Sequence, residues 1–295
     1  MPPFRFLALS LALALSAFAA SAAPVEKFVV ALKPDKNPEV LRAEKAALEA
    51  FLSARLGRPV EAIIPLSATT ILEGFTNGTV DLGYLSATDM VNARGRDVAT
   101  LLLVGEFPDG RTAYDSYWVV KKSAPYTTIA DLRGKPVAFA SRTSTSGFIV
   151  PLLDLHRRGL LGADANPDAF FGAGNVFFGV GYVSAIERLL AGEAEAAAVS
   201  YYVLDQDKHL SAEKRALLRV LQTQGPVPSH VLATRSSLDP ADTEALRSAL
   251  LALNDPAHTG LRDKLFTTKL VPGNAEAHLA SLAEAVALAQ KALQR

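Results

Sequence analysis

Residues 136–156 read PVAFASRTSTSGFIVPLLDLH and join a strand pattern to a helix pattern through a run of hydroxyl side chains. Residues 136–140 form a short apolar run, as in a buried strand, and the apolar residues that follow the hydroxyls recur at helical spacing. Ser144, Thr145 and Ser146 therefore fall on the first turn of a predicted helix. A strand followed directly by a helix is typical of α/β folds.

This hydroxyl loop, residues 143–147, has the composition of an anion-binding site. The first N–H groups of a helix have no partner within the helix, and the positive end of the helix dipole lies behind them. Ser144, Thr145 and Ser146 would add side-chain donors, and Gly147 would let a ligand approach the backbone closely. Ser and Thr are also common helix caps, so the segment alone leaves both interpretations open.

The amino terminus predicts export from the cytoplasm. Arg5 precedes an apolar run over residues 6–20, and residues 21–23 are the small residues Ser-Ala-Ala. This pattern is typical of a secretory signal peptide over residues 1–23, with the mature chain starting near Pro24. No later apolar run approaches the roughly 20 residues of a membrane span. We therefore expect a soluble protein in the periplasm.

Composition excludes several classes of partner. The chain has 30 basic and 30 acidic side chains, so removal of Arg5 with the signal peptide leaves one acid in excess, and we expect no nucleic-acid binding. There is no cysteine, and the five histidines show no His-x-His or His-x-x-x-His spacing. No Gly-x-Ser-x-Gly motif occurs. We therefore predict neither a metal site, nor a cofactor, nor an enzyme.

Short apolar runs alternate with helical stretches along the mature chain, which predicts mostly parallel sheets flanked by helices. We expect the final helix, at 276–293, to pack on the first of two α/β units. The predicted strands lie at 28–32, 60–64, 80–85, 99–104, 114–121, 137–140, 196–200, 218–222 and 231–234, and the predicted helices at 39–56, 69–75, 240–253 and 276–293.

The two α/β units predict two lobes with a ligand cleft between them, since ligands of open α/β sheets bind beyond the carboxyl ends of the strands. We place the two crossing segments near residues 114–116 and 224–228. Pro226-Val227-Pro228 suits a stiff connector, although a surface loop would explain it as well. The predicted lobes are residues 24–114 with 229–295, and residues 115–228.

Several motifs resemble one known family, the periplasmic binding proteins of ABC transporters for phosphonate, phosphite and related oxyanions. The resemblance covers most of the mature chain and implies the two-lobed type II binding-protein fold. The motifs occur in the family's order: EGF at 73–75, VDLGY at 80–84, Tyr114 ahead of YWVVKK at 117–122, DLRGK at 131–135, STSGF at 144–148 with Pro151, AGEAEAAAV at 191–199 and PVP at 226–228.

The resemblance also implies a binding site. It assigns the oxyanion to the hydroxyls of Ser144, Thr145 and Ser146 with the helix amides behind them, and it adds Tyr114. Three further family positions differ in this chain. The tyrosine before the second helix is replaced by Ala68 or Thr69, a histidine by Tyr182, and the carboxylate after the Pro-x-Pro segment by His230.

These replacements indicate the ligand class. Without a carboxylate at position 230, a ligand ammonium group would be buried unpaired, which argues against an aminoalkylphosphonate. His230 could instead donate to an oxyanion and carry a positive charge near neutral pH. We therefore favour phosphite, methylphosphonate or a phosphate-like anion, with arsenical oxyanions as a further option.

The predicted function is that of a monomeric solute-binding protein. It would close on a small oxyanion and present it to an inner-membrane ABC permease. Two alternatives use the same residues. The closed form could dock on a sensor kinase, or the hydroxyl loop could serve a secreted hydrolase.

Overall fold

The structure is a computed structural model, and it describes residues 24–33, 41–206, 209–266 and 268–294. The predicted signal peptide, residues 1–23, lies outside the described residues, as do residues 39 and 40 of the first predicted helix. None of the described helices is both long and apolar enough to cross a bilayer.

The described strands include the nine that the sequence predicts, in the same order, and two that it missed, at Val176–Phe178 and Lys269–Pro272. The strands are β1 (Phe28–Ala31), β2 (Val60–Ile63), β3 (Leu82–Leu85), β4 (Ala99–Glu106), β5 (Ala113–Lys121), β6 (Val137–Phe139), β7 (Val176–Phe178), β8 (Ala196–Ser200), β9 (Leu218–Pro228), β10 (Val231–Arg235) and β11 (Lys269–Pro272).

The helices connect these strands and cover the sheets. They are α1 (Arg42–Leu56), α2 (Ala68–Asn77), α3 (Ala87–Gly95), α4 (Val150–Arg157), α5 (Asp168–Phe171), α6 (Tyr182–Ala191), α7 (Tyr202–Asp205), α8 (Ala212–Ala216), α9 (Pro240–Leu251), α10 (Thr259–Leu265) and α11 (Ala275–Leu293).

The strands form two sheets, which confirms the predicted two-lobed α/β fold. The sheet of lobe 1 has the order β11-β4-β10-β3-β1-β2, and the sheet of lobe 2 has the order β7-β6-β8-β5-β9. Most strands of each sheet point the same way. The exceptions are β10 and β11 in lobe 1 and β5 in lobe 2, which pair antiparallel with their neighbours.

The crossing segments lie next to the predicted positions rather than at them. Residues 114–116 and 224–228 belong to β5 and β9, which pair from Lys121 opposite Leu218 to Ala113 opposite Pro228. The predicted strand at 218–222 is therefore longer, and Pro226-Val227-Pro228 completes it. The chain changes sheet at residues 107–112 and 229–230.

Ser229 connects the two crossing segments. Its N–H donates to the carbonyl of Thr112 (2.9 Å), and its buried hydroxyl donates to the carbonyl of Gly105 (2.6 Å). The imidazole Nε2 of His278, on α11, lies 3.1 Å from the Ser229 carbonyl. Both crossings and the last helix thus meet at one residue.

The prediction that the final helix packs on the first unit is incomplete, because α11 contacts both lobes. It packs against α3 of lobe 1 and α4 of lobe 2. Its Arg157–Glu284 ion pair (2.6 Å) and the bond from Lys291 Nζ to the Ala163 carbonyl (2.6 Å) both reach lobe 2. Its apolar face joins one core that extends through both lobes, and the helix buries Leu279, Leu282, Ala285, Val286 and Ala289.

A buried ion pair holds the sheet of lobe 1 together. The carboxylate of Asp81 accepts from Arg235 Nε (2.9 Å) on β10 and from the Val29 N–H (2.9 Å) on β1. The Asp81 side chain is only 4% exposed. Buried charges are tolerated when they are paired and hydrogen-bonded in this way. The pair therefore links β1 and β10 to the amino end of β3.

Candidate functional site

The hydroxyl loop lies between a buried strand and a helix, as the sequence predicts. After β6, residues 145–149 form one wide helical turn that continues into α4. The Ile149 N–H donates to the Ser144 carbonyl (3.0 Å), and the Val150 N–H donates to the Thr145 carbonyl. Both bonds span five residues instead of four, which is the pattern of a π-helical turn.

Pro151 explains the two carbonyls that this turn leaves without a helical partner. Proline has no N–H, so it can donate neither to the Gly147 carbonyl four residues back nor to the Ser146 carbonyl five residues back. The Ala140 N–H donates to the Gly147 carbonyl (3.1 Å). The buried hydroxyl of Ser116, on β5, donates to the Ser146 carbonyl (2.6 Å).

The amino end of this helix has both a cap and unpaired donors. The Ser144 hydroxyl accepts from the Gly147 N–H (3.0 Å), which is the capping role that the sequence left open. No described residue accepts a hydrogen bond from the N–H of Thr145 or Ser146. A Cβ on Gly147 would lie 2.4 Å from the Ala140 Cβ, so this close packing requires glycine.

Tyr114 and Tyr182 join the hydroxyl loop. The Tyr182 hydroxyl lies 2.7 Å from the Ser146 Oγ and accepts from the Ser144 hydroxyl (3.3 Å). The Tyr114 hydroxyl donates to the Ser146 Oγ (3.4 Å). Ser146 is fully buried, whereas both tyrosines line the cleft. The two phenols therefore stand between Ser146 and the cleft.

The Tyr114 phenol is a neutral hydrogen-bond donor. Burial raises the pKa of Tyr114 well above its ordinary value, and the neighbouring Tyr182 adds to the shift. A protonated phenol can turn its O–H toward an anion without the repulsion that a phenolate would cause.

Thr145 contacts lobe 1. Its buried hydroxyl lies 2.9 Å from the hydroxyl of Thr88, on α3. Of the three predicted hydroxyl ligands, Thr145 is therefore already paired across the lobes, while Ser144 and Ser146 form the cluster with the tyrosines.

His230 lines the same cleft, but the expected positive charge is absent. Burial, with a contribution from nearby Lys33, lowers the pKa of His230 from 6.5 to about 3, so the imidazole is neutral at physiological pH. Its ring stacks on Tyr84 (centroids 4.6 Å apart), and its Nε2 lies 3.4 Å from the Thr268 hydroxyl. The prediction of a charged histidine is wrong because the ring packs in the protein rather than in water.

Thr69 does not join the other predicted ligands. It is exposed on the first turn of α2, outside the lining of the cleft, and Ala68 beside it is half-buried. Ser67 caps this helix by accepting from the Thr70 N–H (3.4 Å).

Arg142, the arginine next to the loop, contacts an aromatic ring. The Arg142 guanidinium lies over the Phe178 ring, 4.1 Å from its centroid. Arg142 therefore makes a cation–π contact within lobe 2.

The cleft between the lobes has a volume of about 460 Å³. Lys33, Tyr84, Phe107 and His230 line it from lobe 1, and tyrosines line it from lobe 2. Sequence reasoning missed Tyr84, Phe107, Tyr201 and Tyr202. A usable signal was present, since each lies at or just beyond the carboxyl end of β3, β4 or β8, where ligands of α/β sheets bind.

The described residues contain no group of three or more His, Asp or Glu side chains placed to hold a metal ion. Two lobes joined by two crossing segments, with an interlobe cleft whose tyrosines bond to the hydroxyl loop behind them, define the class of type II periplasmic binding proteins.

The chain belongs to the family of periplasmic phosphonate-binding proteins of ABC transporters, whose model matches residues 30–278. The resemblance seen in the sequence is thus confirmed. Members of this family are substrate-binding components of membrane transporters rather than enzymes, and they act in the periplasm.

A curated protein is similar to this chain in sequence, and solved structures share its fold. The phosphate-import protein PhnD of Mycolicibacterium smegmatis is 24% identical over 227 residues, covering 76% of this chain and 70% of the relative. XAC2383 from Xanthomonas citri, solved with ATP, has a TM-score of 0.78 at 21% identity and covers 92% of this chain and 100% of its own. PhnD1 from Prochlorococcus marinus, solved with methylphosphonate, has a TM-score of 0.72 at 18% identity, with 90% and 99% covered.

Ser116→Ala tests the support of the hydroxyl loop. The substitution leaves the buried Ser146 carbonyl without its donor, so we expect the free energy of unfolding to fall by about 1–3 kcal/mol. Urea denaturation measures the change. Ser200→Ala is the matched control, since Ser200 is the buried cross-strand neighbour of Ser116 and its hydroxyl has no partner among the described residues. An equal fall in the free energy of unfolding in the two variants would contradict the proposed role of the Ser116 hydroxyl in supporting the loop.

The pKa of His230 predicts a dependence of stability on pH. Below pH 6.5 the unfolded chain protonates this histidine, but the folded protein does so only near pH 3. Stability should therefore fall as the pH decreases through this window, by about 1.4 kcal/mol per pH unit for one proton. His230→Gln should remove that part of the slope. His258→Gln is the control, because the His258 ring packs against Phe51 and not in the cleft, and this variant should retain the full slope. Equal slopes in the unsubstituted protein and both variants would contradict the lowered pKa of His230.

Proposed function

We propose that this protein captures an oxyanion at the hydroxyl loop and carries it, enclosed between the lobes, to an inner-membrane ABC permease. The observation that supports this most directly is the pair of unaccepted N–H groups at Thr145 and Ser146. They lie on the first turn of a helix, where the helix dipole favours negative charge. An oxyanion bound there would pair both donors.

The surrounding hydroxyls support the same ligand. Ser144, Ser146, Tyr114 and Tyr182 place hydroxyl groups within hydrogen-bond distance of one another at this helix end. The oxyanion would either displace the tyrosine hydroxyls from the Ser146 hydroxyl or accept hydrogen bonds from them. Because these donors are neutral, selectivity would follow from how many of them the anion pairs.

Phosphite, methylphosphonate and phosphate-like anions are the head groups that we favour. His230 is neutral and offers no charge to a ligand ammonium group, which argues against an aminoalkylphosphonate. PhnD1 shares this fold and was solved with methylphosphonate, and the Mycolicibacterium relative is named as a phosphate-import protein. Both agree with a head group of this kind.

We further propose that the lobes correspond to residues 24–112 with 229–295 and residues 113–228, two residues from the boundary expected at 114 because β5 starts at Ala113, and that closure turns about the crossing segments. Ser229 joins both crossings, so it would lie at the centre of that motion. The closed form would be the one that the permease recognises.

Replacing Ser144, Thr145 and Ser146 together by Ala tests the site. We expect affinity for the best ligand among phosphate, phosphite and methylphosphonate to fall at least about a hundredfold, because several hydrogen bonds to a charged group are lost. Isothermal titration calorimetry measures this change.

The control separates binding from helix capping. Asn274→Ala removes the cap of α11, where Asn274 accepts from the Ala277 N–H (2.9 Å), and should cost about 1 kcal/mol of stability without changing affinity. If the triple variant behaves like Asn274→Ala, losing stability but keeping its affinity, the hydroxyls cap a helix and do not bind the anion.

A further inference from the structure

The cleft is larger than the head group that the hydroxyl loop can hold. A tetrahedral oxyanion occupies roughly the space of two water molecules, at about 30 Å³ each. The cleft volume is about 460 Å³, within the range of pockets that hold whole organic ligands. Most of the cleft would therefore contact another part of the ligand.

That remaining space is lined by aromatic rings, which we call the aromatic wall. The rings touch in sequence, with centroids 5.6 Å apart for Tyr182 and Tyr202, 5.9 Å for Tyr202 and Tyr201, and 5.7 Å for Tyr201 and Tyr114. These distances are those of interacting aromatic pairs. The aromatic wall consists of Phe107, Tyr114, Tyr182, Tyr201, Tyr202 and His209.

The aromatic wall begins at the hydroxyl loop. Tyr182 bonds to Ser146 through its hydroxyl and packs edge to face on Tyr202 through its ring. The half-buried rings keep part of their apolar surface toward the cleft. Across the cleft, Tyr84 and His230 form a second stacked pair that also lines it. A ligand anchored at the loop thus extends between aromatic surfaces from both lobes.

The rings of the wall are neutral, and neutral aromatic faces can stack on a ligand ring. Burial raises the pKa values of Tyr201 and Tyr202, so both phenols stay protonated. Asp263, the acidic residue of the lining, is paired with Arg262 (2.7 Å). Lys33 also lines the cleft, near His230.

We propose that the ligand is an aromatic or heteroaromatic phosphonate or phosphate monoester, with its oxyanion on the hydroxyl loop and its ring against the aromatic wall. The proposal rests on the proposed function, because the loop must hold the oxyanion for the ring to reach the wall. The proposed function specifies only the oxyanion head group, whereas this proposal specifies the rest of the ligand as well.

Calorimetry with three matched ligands tests the proposal. Phenylphosphonate should bind about tenfold or more tightly than methylphosphonate, and also more tightly than cyclohexylphosphonate, which has similar size without a π face. If methylphosphonate binds and phenylphosphonate binds no more tightly, the inference is overturned while the proposed function stands. If cyclohexylphosphonate equals phenylphosphonate, the aromatic preference is overturned. If none of the three binds, the inference is overturned, and the proposed function fails as well if phosphate and phosphite do not bind either.

Variants of Tyr202 then locate the ring. Tyr202→Leu should bring the affinity for phenylphosphonate down to that for methylphosphonate, whereas Tyr202→Phe should keep the difference. Unchanged methylphosphonate binding shows that each variant is folded. Tyr126→Leu, outside the cleft lining, is the control and should bind like the unsubstituted protein. A Tyr202→Leu variant that keeps the phenyl preference, or loses affinity for both ligands equally, would overturn the placement of the ring on this wall.

Discussion

Pro151 has no N–H, and the architecture of the hydroxyl loop follows from that missing donor. An ordinary helix start would use the amide at this position to pair a carbonyl of the preceding turn. Here the turn widens, and the carbonyls of Ser146 and Gly147 are paired from outside the helix, by the Ser116 hydroxyl and the Ala140 amide. The helix end is thereby attached to two strands of the sheet of lobe 2.

This attachment places the hydroxyl loop beside the crossing strands. Ser116 lies on β5, and its hydroxyl also accepts from Gln224 Nε2 (2.8 Å) on β9. The chain Gln224–Ser116–Ser146 therefore connects both strands that lead to the crossings with the loop that we assign to the oxyanion. Thr145 extends this contact to Thr88 in lobe 1. A change in the angle between the lobes would reach the loop through these bonds, and an anion at the loop would bias that angle in turn.

Sequence reasoning predicted the strand, the hydroxyls and the helix because these depend on local periodicity. The features that it did not predict depend on contacts between residues far apart in sequence. Thr145 pairs with a threonine 57 residues away, and the widened turn is completed by a serine on another strand. His230 is neutral because of its burial against Tyr84, which no local pattern indicates. The sequence pattern shows that α11 has an apolar face. It cannot show that residues of both lobes pack against that face.

The proposed function requires that the backbone N–H groups of Thr145 and Ser146 bind the oxyanion directly. Amide NMR of the ¹⁵N-labelled protein during a titration with methylphosphonate tests this most directly. We predict saturable downfield shifts of these two amide protons, since a hydrogen bond to an anion deshields its proton. Saturable binding that shifts other amides and leaves those of Thr145 and Ser146 in place would contradict the claim.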